Sequence, residues 1–131
     1  MKTINNDIQE KRVGVDNARL LKEKGFDIIT DLIYMTNHTS IVLFDNVNGL
    51  RHSDGNNPFI SAPTHQLAID WIFENFGFVI WSEPIVKKDS IMFFYYIRKY
   101  KISRWTKLTT LFTTPEEAKD AAINYVLTTL L

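Results

Sequence analysis

The sequence predicts an α+β fold, an antiparallel sheet of about five strands with three helices packed on it, in the order α-β-β-α-β-β-β-α. Three observations carry that expectation. Two helices open on proline, at Ser61-Ala62-Pro63-Thr64 and at Thr113-Thr114-Pro115-Glu116-Glu117. Between them lies Ile91-Met92-Phe93-Phe94-Tyr95-Tyr96-Ile97, a run of aromatic and branched residues that favours a pleated conformation. The chain of 131 residues is 45% hydrophobic with 9 Phe, 5 Tyr and 3 Trp, enough apolar surface to bury a core.

Residues 1–12 are polar, lack an apolar period and are expected to form a flexible N-terminal arm; 13–131 are expected to form a single α+β domain. A first helix is predicted over 15–25, with Asp16 as its cap, Ala18 and Leu21 on its buried stripe and Gly25 as the left-handed residue that ends it. From Phe26 to Phe44 the pattern turns β-like: Ile28-Ile29, then Leu32 to Met35, then Ile41 to Phe44, with a tight turn at Thr36-Asn37-His38-Thr39. Asp45 to Pro58 reads as a long polar loop, a length found in functional or mobile segments.

The helix at 63–76 takes Pro63 in its first turn, with Thr64 as the alternative cap. It buries 67, 68, 71, 72 and 76 and turns Asp70 and Glu74 outward. Gly77 ends it. Phe78 to Trp81 starts a strand that Glu83-Pro84 is expected to interrupt, and Lys87 to Ser90 reads as a turn. Ile91 to Tyr100 is the strongest strand. Ile91, Phe93, Tyr95 and Ile97 point one way; Met92, Phe94, Tyr96, Arg98 and Tyr100 point the other. Apolar residues on both faces place this strand centrally. Trp105 to Phe112 is a weaker partner. In the last helix Thr114 and Glu117 form a capping box around Pro115, and Ala118, Ala121, Ala122, Tyr125, Val126 and Leu130 carry the apolar side.

Composition excludes several chemistries. Cysteine is absent, which removes disulfides, thiol nucleophiles and cysteine-based metal sites. No apolar run has signal-peptide or membrane-spanning length, so a cytoplasmic protein is expected, and the sequon Asn37-His38-Thr39 has no secretory context. The net charge of zero conceals an asymmetry: residues 1–86 hold 11 acidic and 7 basic side chains, residues 87–131 hold 4 and 8.

Three phrases add a resemblance. They are Ala18-Arg19-Leu20-Leu21-Lys22-Glu23-Lys24-Gly25-Phe26-Asp27, Ser61-Ala62-Pro63-Thr64-His65-Gln66 leading into Ala68 and Trp71, and Thr114-Pro115-Glu116-Glu117-Ala118 leading into Ala121-Ala122. In this order they resemble a group of short uncharacterised proteins encoded in prophages and other mobile elements of Bacteroides-type gut bacteria, over about Asp16 to Leu127. The resemblance implies a phage or mobile-element setting and a cytoplasmic location. It implies no catalytic residue. The chain departs from the group in its long 45–62 loop and its more basic strand region.

Most sharp site readings fail on spacing. His38, His52 and His65 do not pair at helical spacing, and Asp45-Asn46-Val47-Asn48-Gly49 puts Val47 and Gly49 where a calcium loop needs oxygen ligands. No metal is expected. The five glycines are scattered and make no phosphate-cradling loop, so no cofactor is expected either. Asp70 and Glu74, one helical turn apart, read as solvated carboxylates, and no nucleophile-and-base grouping appears. The chain is therefore expected not to be an enzyme. Two binding readings remain. Tyr34, Phe59, Trp81, Tyr96 and Trp105 are candidates for a patch that binds a protein or a second copy of the chain. That makes a non-catalytic accessory interaction protein of a phage or mobile element, binding a host or phage protein, the leading expectation. The alternative is a small nucleic-acid-binding module using Arg98, Lys99, Tyr100, Lys101, Arg104, Trp105 and Lys107, which mix cations for phosphates with rings for bases.

Overall fold

The computed structural model describes residues 12–37, 40–51, 59–101, 105–107 and 110–131, with contacts gathered in two compact units, residues 1–66 and 67–131. The expected α+β class is present. Its strands form two three-stranded antiparallel sheets instead of one sheet of about five, and the order gains a strand before the second helix.

The first unit opens with helix α1 (Val15–Glu23). Gly14 holds the cap position, so Asp16 is a first-turn acid near the positive end of the helix dipole instead of the expected cap. The C-terminus follows the sequence reading. Gly25 has φ 99°, its N–H reaches Lys22 O at 3.1 Å, and Phe26 N–H reaches Leu21 O at 2.9 Å. Those two bonds satisfy carbonyls that the helix leaves open, and the side chains of Leu21 and Phe26 are both buried.

Strands β1 (Leu32–Asn37) and β2 (Ser40–Asp45) form a hairpin from Leu32↔Asp45 to Asn37↔Ser40. The predicted hairpin is therefore present, although residues 38 and 39 of its turn lie outside the described residues. Strand β3 (Phe59–Ser61) pairs with the other edge of β1, giving the order β2-β1-β3, and α1 packs beside it. Three residues are too few to show alternation, so the sequence alone does not mark this strand. Ile28 and Ile29, expected in a strand, lie outside the ladder and are exposed. Arg12, the last residue of the expected arm, is held firmly: its guanidinium grips both oxygens of Asp31 at 2.7 and 3.0 Å. Residues 1–11 of that arm lie outside the described residues.

Helix α2 (His65–Phe76) starts two residues later than predicted. Pro63 precedes it, and its carbonyl accepts from Val13 N–H at 3.1 Å. Ala68, Trp71 and Ile72 are buried as expected, together with Ile69; Leu67 and Phe76 are only half-buried. Asp70 and Glu74 are exposed.

In the second unit, β4 (Phe78–Lys87) and β5 (Ser90–Lys99) pair over their full ten-residue lengths, and β6 (Trp105–Lys107) adds to the far edge of β5. The expected interruption at Glu83-Pro84 is absent. β4 is an edge strand, and Phe93, opposite Pro84, sends its N–H and its C=O to Phe112 at 2.8 Å each. The nitrogen of Pro84 therefore faces away from β5 and no ladder bond is lost. Helix α3 (Pro115–Tyr125) is capped by Thr114 as expected, its hydroxyl accepting from Glu117 N–H at 3.1 Å; the Glu117 carboxylate accepts from the hydroxyls of Thr113 and Thr114 at 2.7 and 3.1 Å, where a full capping box would use the Thr114 backbone N–H. The helix then widens into a π-type turn, Val126–Leu130. Its buried side is Ala118, Ala122, Ile123, Val126 and Leu127, whereas Leu130 is exposed and Ala121 and Tyr125 are half-buried.

Candidate functional site

The β4–β5 hairpin carries the most informative surfaces of the chain. Alternation gives its sheet two faces. One holds Phe78, Ile80, Tyr95 and Ile97, all buried. Helix α3 packs on these strands, and Phe112 lies 6.3 Å from Tyr95 between ring centroids. Burial, and to a lesser extent neighbouring Tyr125, pushes the Tyr95 phenol up to about 12. At 2% exposure Tyr95 is a core group.

The opposite face is more open. Val79, Trp81, Tyr96 and Arg98 are half-buried there, and only Phe94 is closed off. Trp81 and Tyr96 are direct cross-strand partners with ring centroids 5.0 Å apart, and Phe94 meets Tyr96 edge-on at 5.1 Å. Trp81 Nε1 donates to Glu83 Oε1 at 3.1 Å. The β6 ladder sets Trp105 opposite Arg98 and Lys107 opposite Tyr96, which are register positions of this same face.

The predicted basic aromatic segment is thus divided. Arg98 shares a face with Tyr96 and with positions 105 and 107. Lys99 falls on the other face, its Nζ 5.4 Å from the Phe78 ring centroid. Tyr100 is 60% exposed at the strand end, with Lys101 Nζ 5.7 Å from its ring centroid and the Phe73 ring edge-on at 6.2 Å. Arg104 lies outside the described residues. Of the predicted protein-binding aromatics, Phe59 is buried and unavailable, and Tyr34 is half-buried with its hydroxyl donating to Val13 O.

The far end of the hairpin was not singled out in the sequence. Val86 and Ile91 stand opposite each other at 72% and 58% exposure, with Ile85 at 38% beside them. Lys87 and Lys88 adjoin them, and Lys88 takes a left-handed φ of 56° in the turn. The expected interruption at Pro84 hid this feature. A ladder counted outward from the Lys88-Asp89 turn would have paired Val86 with Ile91 and Trp81 with Tyr96.

Among the described residues, no group of three or more His, Asp or Glu side chains could hold a metal ion. His38 and His52 lie outside them, and His65 is buried at the start of α2. The segment that superficially resembled a calcium loop is organised by Asn46, whose amide donates to Thr30 O and Leu50 O at 2.8 Å each and accepts from Leu50 N–H at 2.9 Å. Among the described residues no helix is long and apolar enough to cross a membrane. Comparison with known proteins finds no matching family, curated relative or solved structure.

Proposed function

We propose that this chain is a non-catalytic interaction protein, working in the cytoplasm in a phage or mobile-element setting, that binds a host or phage protein through the end of its β4–β5 hairpin. The observation that carries the reading is the cross-strand pair Val86 and Ile91, both exposed by more than half. Apolar side chains adjacent at a protruding end gain about 25 cal/mol for each Å² that a partner covers. Lys87 and Lys88 beside them suit an apolar pocket with a carboxylate rim. Pro84 leaves a gap in the donors along the outer edge of β4, which favours docking through the hairpin end over strand addition. The mobile-element setting is supported by the resemblance of the three sequence phrases.

The test is affinity capture with the wild type and with Val86→Asp/Ile91→Asp, followed by pairwise binding of the purified captured protein. The expected result is at least a tenfold loss of affinity in a variant whose circular dichroism is unchanged. Equal affinity for both forms would refute the hairpin end as the docking surface, as would retention of both forms by anionic vesicles with no protein captured.

A further inference from the structure

We infer that the outer edge of β2 joins two copies of this chain, β2 pairing with β2 antiparallel across a twofold axis. This surface belongs to the first sheet and is separate from the hairpin end of the second. Three observations lead there. First, the edge carries open backbone groups. Asn46 N–H reaches Asp31 O at 2.8 Å, so alternation turns the N–H and C=O of Val42 and Phe44 toward β1 and those of Ile41, Leu43 and Asp45 away from it. β2 ends the order β2-β1-β3, and among the described residues none pairs with those outward groups. Second, the buried rows of the sheet stop unfinished at this strand. Ser61, Ile33 and Phe44 lie side by side on one face, as do Phe59, Met35 and Val42. Ser61, Ile33 and Phe59 are closed off, whereas Phe44 and Val42 are only half-buried. Third, Ile41-Val42-Leu43-Phe44 holds no charge, proline or glycine, the residues that guard an edge against pairing. By contrast β3, the opposite edge, is three residues long with α1 beside it, and β4 carries Pro84.

Open backbone groups along an edge are met by another extended strand. A second β2 meets these by symmetry. Outward residues must face outward residues, and the register that uses all three sets Leu43 opposite its own copy on the axis, with Ile41 opposite Asp45 on either side. Val42 of one copy then stands opposite Phe44 of the other on the core face, a branched side chain against a ring. That contact continues the rows that β2 leaves half-open. The two Asp45 carboxylates fall at opposite ends of the pair, so no like charges meet across it.

The experiment is sedimentation velocity of the full chain across a concentration series, where a reversible monomer–dimer equilibrium is expected. Leu43→Lys and Leu43→Glu each set like charges opposite one another on the axis, and each should raise the dimer dissociation constant at least about tenfold. Mixing the two variants, both with the circular dichroism of the wild type, should restore the dimer by placing opposite charges there. Val86→Asp/Ile91→Asp should dimerise as the wild type does, which separates failure here from failure of the protein-docking reading. Amide hydrogen exchange of the unaltered chain needs no variant: Leu43 N–H should slow with rising concentration, and by more than Val42 N–H, which already faces β1. A chain that stays monomeric throughout the series, exchange at Leu43 independent of concentration, a mixture of folded variants no more dimeric than either alone, or a dimer lost in Val86→Asp/Ile91→Asp would each overturn the inference.

Discussion

Proline in the middle of a paired strand is the sharpest test of the second sheet. Pro84 is tolerated because Phe93 spends its hydrogen bonds on Phe112, which leaves Pro84↔Phe93 a non-hydrogen-bonded pair. Alternation then makes Ile85↔Met92 a hydrogen-bonded pair. Moving the proline by one residue, in Pro84→Val/Ile85→Pro, places it where the ladder needs a donor. The lost bond costs about 1 kcal/mol, and fitting the ring against β5 brings the total to roughly 2–3 kcal/mol. Pro84→Val alone forfeits only the restriction that proline places on the unfolded chain, about 0.4–1 kcal/mol. Equilibrium urea unfolding followed by circular dichroism reads both values, compared at constant slope. The single variant should lie within about 1 kcal/mol of wild type and the shifted variant at least about 1 kcal/mol below it. Equal losses in the two would refute the edge-strand account. Pro84→Val should also restore an outward N–H, so sedimentation velocity at high concentration should show more self-association.

Four further outcomes follow from the packing. Trp71, 8% exposed and edge-on to Phe76 at 5.4 Å, should cost about 3–5 kcal/mol when changed to Ala in urea unfolding, whereas exposed Phe73→Ala should cost under about 1 kcal/mol. Gly25→Ala meets no atom within 4 Å, so its cost is purely that of a side chain at φ 99°, about 1–2 kcal/mol by thermal or urea unfolding. Thr114→Ala removes the cap of α3 and should cost about 1 kcal/mol by the same assay, with part of the loss restored by Thr114→Ser. Tyr95 holds its proton to about 12 in the folded chain against 10.0 unfolded, so the unfolded state binds fewer protons between those values. Its contribution is complete below pH 10 and is lost as pH rises toward 12, so the stability gap between wild type and Tyr95→Phe should shift in that window and be flat below it.

The parts of the fold that were legible in the sequence are those decided within a few residues. Gly25 ends α1 because only a residue without a side chain enters that conformation freely, and Leu21 and Phe26 are close enough in sequence to mark it. Thr114 and Glu117 fix the start of α3 for the same local reason. The basic aromatic segment was less legible, because nearness in sequence groups Arg98 with Lys99 although the ladder puts them on opposite faces. What was missed depended on distant partners. Pro63 looks like a first-turn residue until its carbonyl is claimed by Val13, and the helix then begins at His65. β3 is a strand because one edge of β1 is vacant. Pro84 breaks a strand in general but not on an outer edge facing away from its neighbour. Truncating β4 there concealed both the Trp81–Tyr96 pair and the exposed hairpin end.

The Trp81–Tyr96 pair and the hairpin end are separated along the strands as well as by face. Tyr96 and Ile91 are five residues apart on β5, as are Trp81 and Val86 on β4, which is about 16 Å at ~3.3 Å per residue. That distance exceeds the reach of any side chain, so a partner seated on Val86 and Ile91 need not touch the ring pair. Both nevertheless rest on one support. The buried row of Ile80, Tyr95 and Ile97 anchors the ladder, and helix α3 packs on the strands that carry it. Loosening that row would disturb the ring pair and the hairpin end together, whereas Val86, 72% exposed, can be changed without touching it. Independence at the surface and dependence through the core follow from the same ladder.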